Sequence, residues 1–152
     1  MEIINDAISR MQKHLGLLRM CMGMTQEEFG EELGVSRQQI WNLEHRKNKL
    51  TKLHYLAIQW MFHQKEGLIG WKAEEETGKF TLARMVYDFV IMSPELFNDE
   101  REQEEITSML YSIAPLYLRA KTNAGRKMIA YGFCKELVAR GYDDFYEGMK
   151  RM

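Results

Sequence analysis

The sequence predicts an all-α protein, and three observations support this fold class. Only two prolines occur in 152 residues, so few positions remove a backbone donor from a helix. Apolar residues recur at the three- and four-residue spacing of amphipathic helices along nearly the whole chain. No sustained alternation of apolar and polar residues indicates a strand. We therefore expect an N-terminal helical bundle followed by a second helical domain.

The first helix is predicted over residues 3–22. Its apolar residues step by four and three positions and therefore lie on one stripe. They are Ile4, Ile8, Met11, Leu15, Leu18 and Met22. Gly23 is expected to end this helix, because glycine readily adopts the left-handed conformation of a helix C-terminus.

Two short helices are predicted next, and each begins with a capping box. Thr25 precedes Glu28 by three residues, and Ser36 precedes Gln39 by the same interval. In such a pair the hydroxyl accepts from one free amide and the second side chain accepts from another. Gly34 is expected to close the first of these helices, which leaves only a tight turn before the second.

The fourth helix is predicted to begin near Thr51 and to end before Gly67. Its expected inward residues are Leu53, Leu56, Ala57, Trp60 and Met61. Residues 67–80 contain three glycines and three consecutive glutamates, which break the helical periodicity. We therefore predict a first domain at 1–66, a linker at 67–80 and a second domain at 81–152.

The second domain is expected to be helical. Its predicted helices cover 81–92, 99–113 and 126–140, with a restart at Ser93-Pro94 and a short amphipathic tail at 143–152. Pro115 is expected to kink or end the middle helix, and Gly141 to end the last one. The apolar residues of these helices would supply either a dimer interface or a surface for a protein partner. They include Phe89, Val90, Ile106, Leu110, Ile129, Phe133 and Leu137.

The distribution of charge indicates one segment that faces phosphates. The whole chain has a net charge of −1, but residues 34–65 hold six basic side chains and one acidic one. Residues 66–152 hold 12 basic and 15 acidic side chains. A basic segment before a mildly acidic remainder is typical of a protein that meets nucleic acid through one part only.

The cysteine and histidine positions predict no disulfide, metal or cofactor. Cys21 and Cys134 lie on separate predicted helices and are expected to be buried thiols. The four histidines have no metal-site spacing. The start of the chain does not resemble a signal peptide, and no apolar stretch could span a bilayer. We expect a protein of the cytoplasm of a bacterial or phage-infected cell.

The carboxylate-rich segments do not predict an enzyme. A nuclease would hold several acids around one pocket, whereas residues 74–76 fall in the predicted linker and 99–105 at a helix start, where acids are expected. No Gly-rich phosphate loop and no nucleophile motif is present. Nuclease activity is a further hypothesis, and an assay of metal-dependent DNA cleavage would test it.

The second short helix carries residue types that read DNA bases. The candidates are Arg37, Gln38, Trp41 and Asn42. Arginine pairs with two acceptors of guanine, and glutamine or asparagine pairs with adenine. Trp41 could instead contact a sugar, a thymine methyl group or a dimer partner. The candidates for phosphate contacts are Thr25, Gln26, Ser36, Arg46, Lys47 and Lys49.

Residues 15–65 resemble the Cro/CI family of phage and bacterial repressors, the lambda-repressor-like helix-turn-helix proteins. The matching features are Leu18-Arg19, the run Thr-Gln-Glu-Glu at 25–28, the turn Leu-Gly-Val-Ser at 33–36 and the ending Ile-x-x-Leu-Glu at 40–44. All four agree in register. The remainder of the chain carries no such resemblance.

The resemblance implies a compact bundle of about five helices that is often dimeric on DNA. It also implies a phosphate contact for Gln26 and base contacts for Arg37, Gln38 and Asn42. Two departures stand out. Gly30 replaces the usual Ala, and we expect either small residue to permit the close approach of the two helices. Arg46 stands where the family often has Gly, so either a left-handed cost is paid or the turn differs.

A third departure concerns the fifth helix of the family. Residues 67–80 stand where this helix might begin, and the sequence does not place it. Leu68, Ile69 and Trp71 could cover the bundle instead.

These observations predict a sequence-specific double-stranded DNA-binding transcriptional regulator. It would be a repressor that blocks a promoter as a homodimer, with half-sites about 34 Å apart. The alternative is an antitoxin or phage accessory protein whose C-terminal helices bind a protein partner, while the helix-turn-helix regulates its own gene.

Overall fold

The computed structural model describes residues 2–66 and 81–142, and every regular element in these ranges is helical. The helices are α1 (Glu2–Lys13), α2 (Leu15–Cys21), α3 (Gln26–Leu33), α4 (Arg37–Glu44), α5 (Lys52–Glu66), α6 (Leu82–Met85), a π-helical segment (Val86–Met92), a 3₁₀ turn (Pro94–Leu96), α7 (Glu100–Arg119) and α8 (Asn123–Ala139). The all-α prediction is confirmed for these ranges. The predicted linker at 67–80 and the predicted tail at 143–152 lie outside them.

The first predicted helix is two helices that meet at His14. This residue has φ −112° and ψ 22°, outside the helical range, although its N–H still donates to the Arg10 carbonyl at 3.0 Å. Met11 and Leu15 are fully buried on either side of the break, whereas Ile4 is exposed. The prediction of one uninterrupted helix was therefore wrong at His14. The apolar stripe is hardly disturbed because the hydrogen bonds continue across the break.

The inward face predicted for α5 was mostly wrong. The exposed positions are Leu53, Leu56, Ala57 and Trp60, and the buried ones are Tyr55, Ile58, Met61 and Phe62. Two apolar faces fit the spacing of this helix, so periodicity alone does not choose between them. Tertiary packing buries the face on which Phe62 stacks against Tyr87, with 4.2 Å between ring centroids.

The helices of the C-terminal half differ from the prediction at three places. The predicted helix at 81–92 is α6 followed by the π-helical segment, in which the Ser93 N–H donates to the Asp88 carbonyl at 2.9 Å. Pro115 does not end α7, which continues to Arg119. Thr122 caps α8, so this helix begins before Gly125 rather than after it.

The buried apolar residues of both halves form one hydrophobic cluster. In it, α2 packs against α6 and α7, and α1 packs against the π-helical segment. The division into two domains stays a prediction. Six of the residues proposed above for a dimer or partner surface are buried inside this cluster and so do not lie on such a surface: Phe89, Val90, Ile106, Leu110, Phe133 and Leu137. That the C-terminal helices bind a second copy or a partner stays a prediction.

Cys21 and Cys134 are buried and form no disulfide with each other, as predicted. Within the described ranges, none of the helices is long and apolar enough to cross a membrane.

Candidate nucleic-acid interface

Both predicted capping boxes are present at the starts of α3 and α4. Thr25 Oγ1 accepts from the Glu28 amide at 3.1 Å, and Glu28 Oε1 accepts from the Thr25 amide at 2.9 Å. Ser36 and Gln39 make the same exchange, at 3.1 and 2.7 Å. Each hydroxyl oxygen is thus an acceptor, and its own proton is left to donate outward. The boxes fix where both helices begin.

The turn between α3 and α4 is closed by Gly34 in the left-handed conformation, with φ +76°. Its amide donates to the Glu31 carbonyl at 3.3 Å, and the Val35 amide donates to the Gly30 carbonyl at 2.9 Å. These two bonds define a Schellman motif. It holds α3 and α4 at a short, fixed separation.

Gly30 lies where the two helices approach most closely. A Cβ atom built on it would be 2.6 Å from the Val35 carbonyl oxygen. Real Cβ atoms do not approach an oxygen so closely, so the backbone would have to shift. The expectation that Ala and Gly are equivalent here is therefore corrected: this turn leaves no room for a methyl group.

The outward face of α4 brings the four predicted base-reading residues together. Ile40 and Leu43 are buried on the inner side of the helix. Arg37 and Gln38 are exposed, and Asn42 is half-buried. Gln38 Nε2 donates to Asn42 Oδ1 at 3.0 Å, which aligns the two carboxamides along one edge of the helix.

Trp41 lies on the same face and is 37% exposed. Its ring stacks on His45 with 3.9 Å between centroids and 17° between planes. The His45 Nδ1 is also 2.9 Å from the Trp41 carbonyl oxygen. The stacked pair forms a flat aromatic surface next to the carboxamides. This surface is compatible with each contact predicted for Trp41: a sugar, a thymine methyl group or a second copy of the chain.

Gln26 belongs to a network that sequence reasoning did not identify. Its Nε2 donates to Glu44 Oε1 at 3.2 Å. Glu44 in turn accepts two bonds from Arg19, at 2.6 Å from Nε and 3.2 Å from Nη2. Arg19 also donates to the Met24 carbonyl at 2.9 Å. The arginine neutralises the carboxylate, and the carboxylate orients Gln26, whose amide has a second N–H to offer.

The turn after α4 is a second Schellman motif, and its left-handed residue is Arg46, with φ +59°. The Arg46 amide donates to the Leu43 carbonyl at 3.3 Å, and the Lys47 amide donates to the Asn42 carbonyl at 2.8 Å. Arg46 therefore adopts the left-handed conformation, which carries the steric cost that the sequence analysis considered. Arg46, Lys47 and Lys49 are all exposed, so the predicted phosphate contacts beyond α4 are accessible.

Gln12 of α1 holds this turn in place, and the sequence pattern did not single it out. Its Nε2 donates to the carbonyls of Leu43 at 3.0 Å and Asn48 at 2.7 Å. Its Oε1 accepts from the Leu50 amide at 3.0 Å. The only sequence signal was a polar residue beside the buried stripe of α1. These three bonds fix the turn relative to α1.

His14 connects the same region to α7. Its Nδ1 is 2.8 Å from the Tyr111 hydroxyl. Burial, reinforced by the nearby charges of Lys13 and Arg46, lowers the pKa of His14 to about 4. The histidine is therefore neutral at physiological pH and pairs with Tyr111 without adding charge.

The predicted acidic segments do not form a metal site in the described part of the chain. Asp99 caps α7, with Oδ1 2.8 Å from the Glu102 amide. Glu105 pairs with Arg140 at 2.8 Å. No group of three His, Cys, Asp or Glu side chains in residues 2–66 and 81–142 could hold a metal ion. Residues 74–76 lie outside these ranges.

Comparison of this chain with protein-family models, with curated proteins and with solved structures finds no match.

Proposed function

We propose that the protein is a sequence-specific double-stranded DNA-binding transcriptional regulator, a repressor that blocks a promoter as a homodimer. In this proposal α3 and α4 form a helix-turn-helix of the Cro/CI type, and α4 enters the major groove. One observation carries the proposal: on the outer face of α4, Arg37 and Gln38 are exposed and Asn42 is half-exposed, so no other part of residues 2–66 and 81–142 covers this face.

The residue types on this face support base reading. Arg37 lies in the first turn of α4, where side chains of a recognition helix reach base edges. A guanidinium can donate to both O6 and N7 of guanine. The Gln38 and Asn42 carboxamides are bonded to each other, and each can exchange this bond for the N6 and N7 of adenine.

The flanks of the pair support contacts to phosphate. The first turn of α3 presents free amides together with Thr25 and the Gln26 amide, which Glu44 orients. On the other flank, Arg46, Lys47 and Lys49 are exposed. The elements before and after α4 therefore both carry donors for the phosphates that border a groove.

An exposed apolar stripe on α5 supports self-association. Leu53 is 76% exposed, Trp60 is 66% exposed, and Leu56 lies between them on the same side of the helix. A twofold dimer would bury this stripe against its own copy and place two reading helices on successive half-sites. Leu56→Glu should lower the dimer population measured by light scattering, whereas Ser108→Glu, at an exposed polar position of α7, should not.

A selection experiment tests the proposal directly. Wild-type protein is used to enrich bound sequences from a pool of random duplex DNA, and the enriched set is examined for inverted half-sites. The proposal expects a short inverted motif whose enrichment is lost for Arg37→Ala. An enriched pool without a common motif, or one that is unchanged for Arg37→Ala, contradicts it.

Exposed apolar residues of α7 and α8 favour the second candidate, a protein-binding function with autoregulation. Met128 is 75% exposed and Leu116 is 52% exposed. Both residues are distant from α4 in the sequence. A pull-down of protein partners with the full chain as bait, repeated with the Met128→Glu variant, tests this candidate. A partner that is lost with the variant, while DNA binding is unchanged, would support it.

A further inference from the structure

An open cleft of about 190 Å³ separates α1 from the turn that follows α4. Its lining consists of Ser9, Arg10, Gln12, Lys13 and Arg46. Three of these five side chains are cationic and Ser9 carries a hydroxyl group, whereas the Gln12 amide is already bonded to the backbone of the turn. The cleft therefore presents the donors that a phosphate group requires, from two different elements of the fold.

The cations of the cleft are not neutralised by carboxylates in the described part of the chain. The ion pairs found there involve Arg19, Lys65, Arg101 and Arg140. Arg10 Nε donates to the Ile91 carbonyl, a bond to a neutral group that leaves the guanidinium charge uncompensated. Lys13 and Arg46 both act on His14 by lowering its pKa, so their charges lie close together.

Hydrogen bonds hold the backbone on both sides of the cleft. Gln12 joins its own helix to the turn by three hydrogen bonds to the backbone. Arg46 is held by the Schellman bonds at the end of α4, and Arg10 by its bond to Ile91. The backbone that carries these side chains is therefore already in place when an anion binds.

Arg46 is the exception in a pattern that recurs along the chain. The described residues contain Schellman motifs at Gly23, Gly34, Arg46 and Gly141. Glycine accepts a positive φ at no steric cost, and arginine does not. A strained backbone at one residue of a charged cleft is the kind of outlier that accompanies a binding role.

We propose that this cleft binds a phosphate group. The surroundings favour a phosphate of the DNA backbone, because the cleft continues into the exposed cationic turn of Arg46, Lys47 and Lys49. That source rests on the proposed function. It would extend the protein's footprint from the loop beyond α4 onto α1. A free phosphorylated small molecule is the other source of the same chemistry.

The test uses the full-length protein and three variants. Lys13→Gln removes an exposed charge from the cleft, and Arg46→Gly removes a charge while relieving the positive φ. Lys127→Gln removes an exposed charge from α8 and is the matched control. Since glycine suits the conformation of residue 46, lost binding in Arg46→Gly cannot be attributed to misfolding, and thermal unfolding of each variant verifies this.

The first measurement is the affinity for a fluorescent duplex at a series of KCl concentrations. Each phosphate contact contributes about −0.9 to the slope of log K against log salt. Since the cleft binds one phosphate group, we expect the slope to weaken by about 0.9 for Lys13→Gln combined with Arg46→Gly, and by part of that amount for Lys13→Gln alone. Lys127→Gln should leave it unchanged. This result supports DNA as the source.

The second measurement is an NMR titration of the DNA-free protein with inorganic phosphate. Shifts at Ser9 and Arg10 that disappear in Lys13→Gln, with an unchanged salt slope, support the cleft with a small-molecule source. Unchanged slopes together with no such shifts overturn the proposal. If the wild-type protein binds no duplex, the proposed function fails, and the phosphate titration still decides the cleft.

Discussion

Arg19 and Glu44 form an ion pair in which Nε lies 2.6 Å from Oε2 and both side chains are only 9% exposed. The pair joins the end of α2 to the end of α4. Because Gln26 also donates to Glu44, one carboxylate sets the relative positions of the first helices and of a candidate phosphate contact.

Loss of this carboxylate should strongly destabilise the protein. Glu44→Ala leaves the Arg19 guanidinium buried without its partner, which costs about 3 kcal/mol or more. Urea unfolding measures the difference. The matched control is Glu32→Ala, which breaks the exposed pair with Lys65 and should cost less than about 1 kcal/mol. Equal losses for the two variants would mean that burial of the first pair carries no energetic weight.

Arg46→Gly should stabilise the protein. The left-handed conformation costs a non-glycine residue about 1–2 kcal/mol, and part of this gain is offset because glycine has more conformational freedom in the unfolded chain. We expect a net increase of about 0.5–1 kcal/mol in the free energy of unfolding, measured without DNA. Asn48→Gly, in the same turn but without a positive φ, should not stabilise. A destabilised Arg46→Gly would show that the side-chain contacts outweigh the strain.

Gly30→Ala and Gly132→Ala should have opposite signs. A methyl group at residue 30 would be 2.6 Å from the Val35 carbonyl oxygen, whereas residue 132 of α8 has nothing within 4 Å. Overpacking should destabilise the first variant by about 1–3 kcal/mol. Helix propensity should stabilise the second by up to about 1 kcal/mol. Thermal unfolding measures both, and a neutral Gly30→Ala would refute the close approach of α3 and α4.

The stability of the protein should fall as the pH drops from 6.5 to 4. Burial lowers the pKa of His14 from 6.5 to about 4. In this window the unfolded state therefore binds a proton that the folded state excludes. The loss should be on the order of 2 kcal/mol after allowance for solvent screening.

His63, whose pKa burial also lowers, acts on stability in the same direction. The glutamine in His14→Gln can still form a hydrogen bond with the Tyr111 hydroxyl but does not titrate. This variant should therefore show a smaller change in the free energy of unfolding with pH. If His14→Gln and wild type lose equal stability between pH 6.5 and 4, His14 is not the group responsible.

Arg37→Ala should weaken specific DNA binding by about 1–3 kcal/mol, because a bidentate contact to guanine would be lost. Lys47→Ala should instead weaken binding to all sequences alike and reduce the salt slope by about 0.9. Competition between a selected duplex and a random one separates the two effects. Arg37 would lose its assigned role if both duplexes weakened by the same factor.

Local chemistry made α3, α4 and the turn between them predictable from the sequence. The capping boxes at Thr25 and Ser36 and the left-handed Gly34 involve residues no more than five positions apart, so the pattern of side chains contains the whole interaction. The outward face of α4 followed for the same reason, because burial of Ile40 and Leu43 turns Arg37 and Gln38 toward solvent.

Interactions between distant residues decided the rest. The sequence of α5 offers two apolar faces, and only packing of Phe62 on Tyr87 selects the buried one. Gln12 reaches Asn48 and Leu50 because α1 and the turn meet in space, and Arg10 and Lys13 enter the cleft with Arg46 for the same reason. Amphipathic periodicity specifies that a helix has an apolar side, but not which helix will cover it or which charges will then stand together.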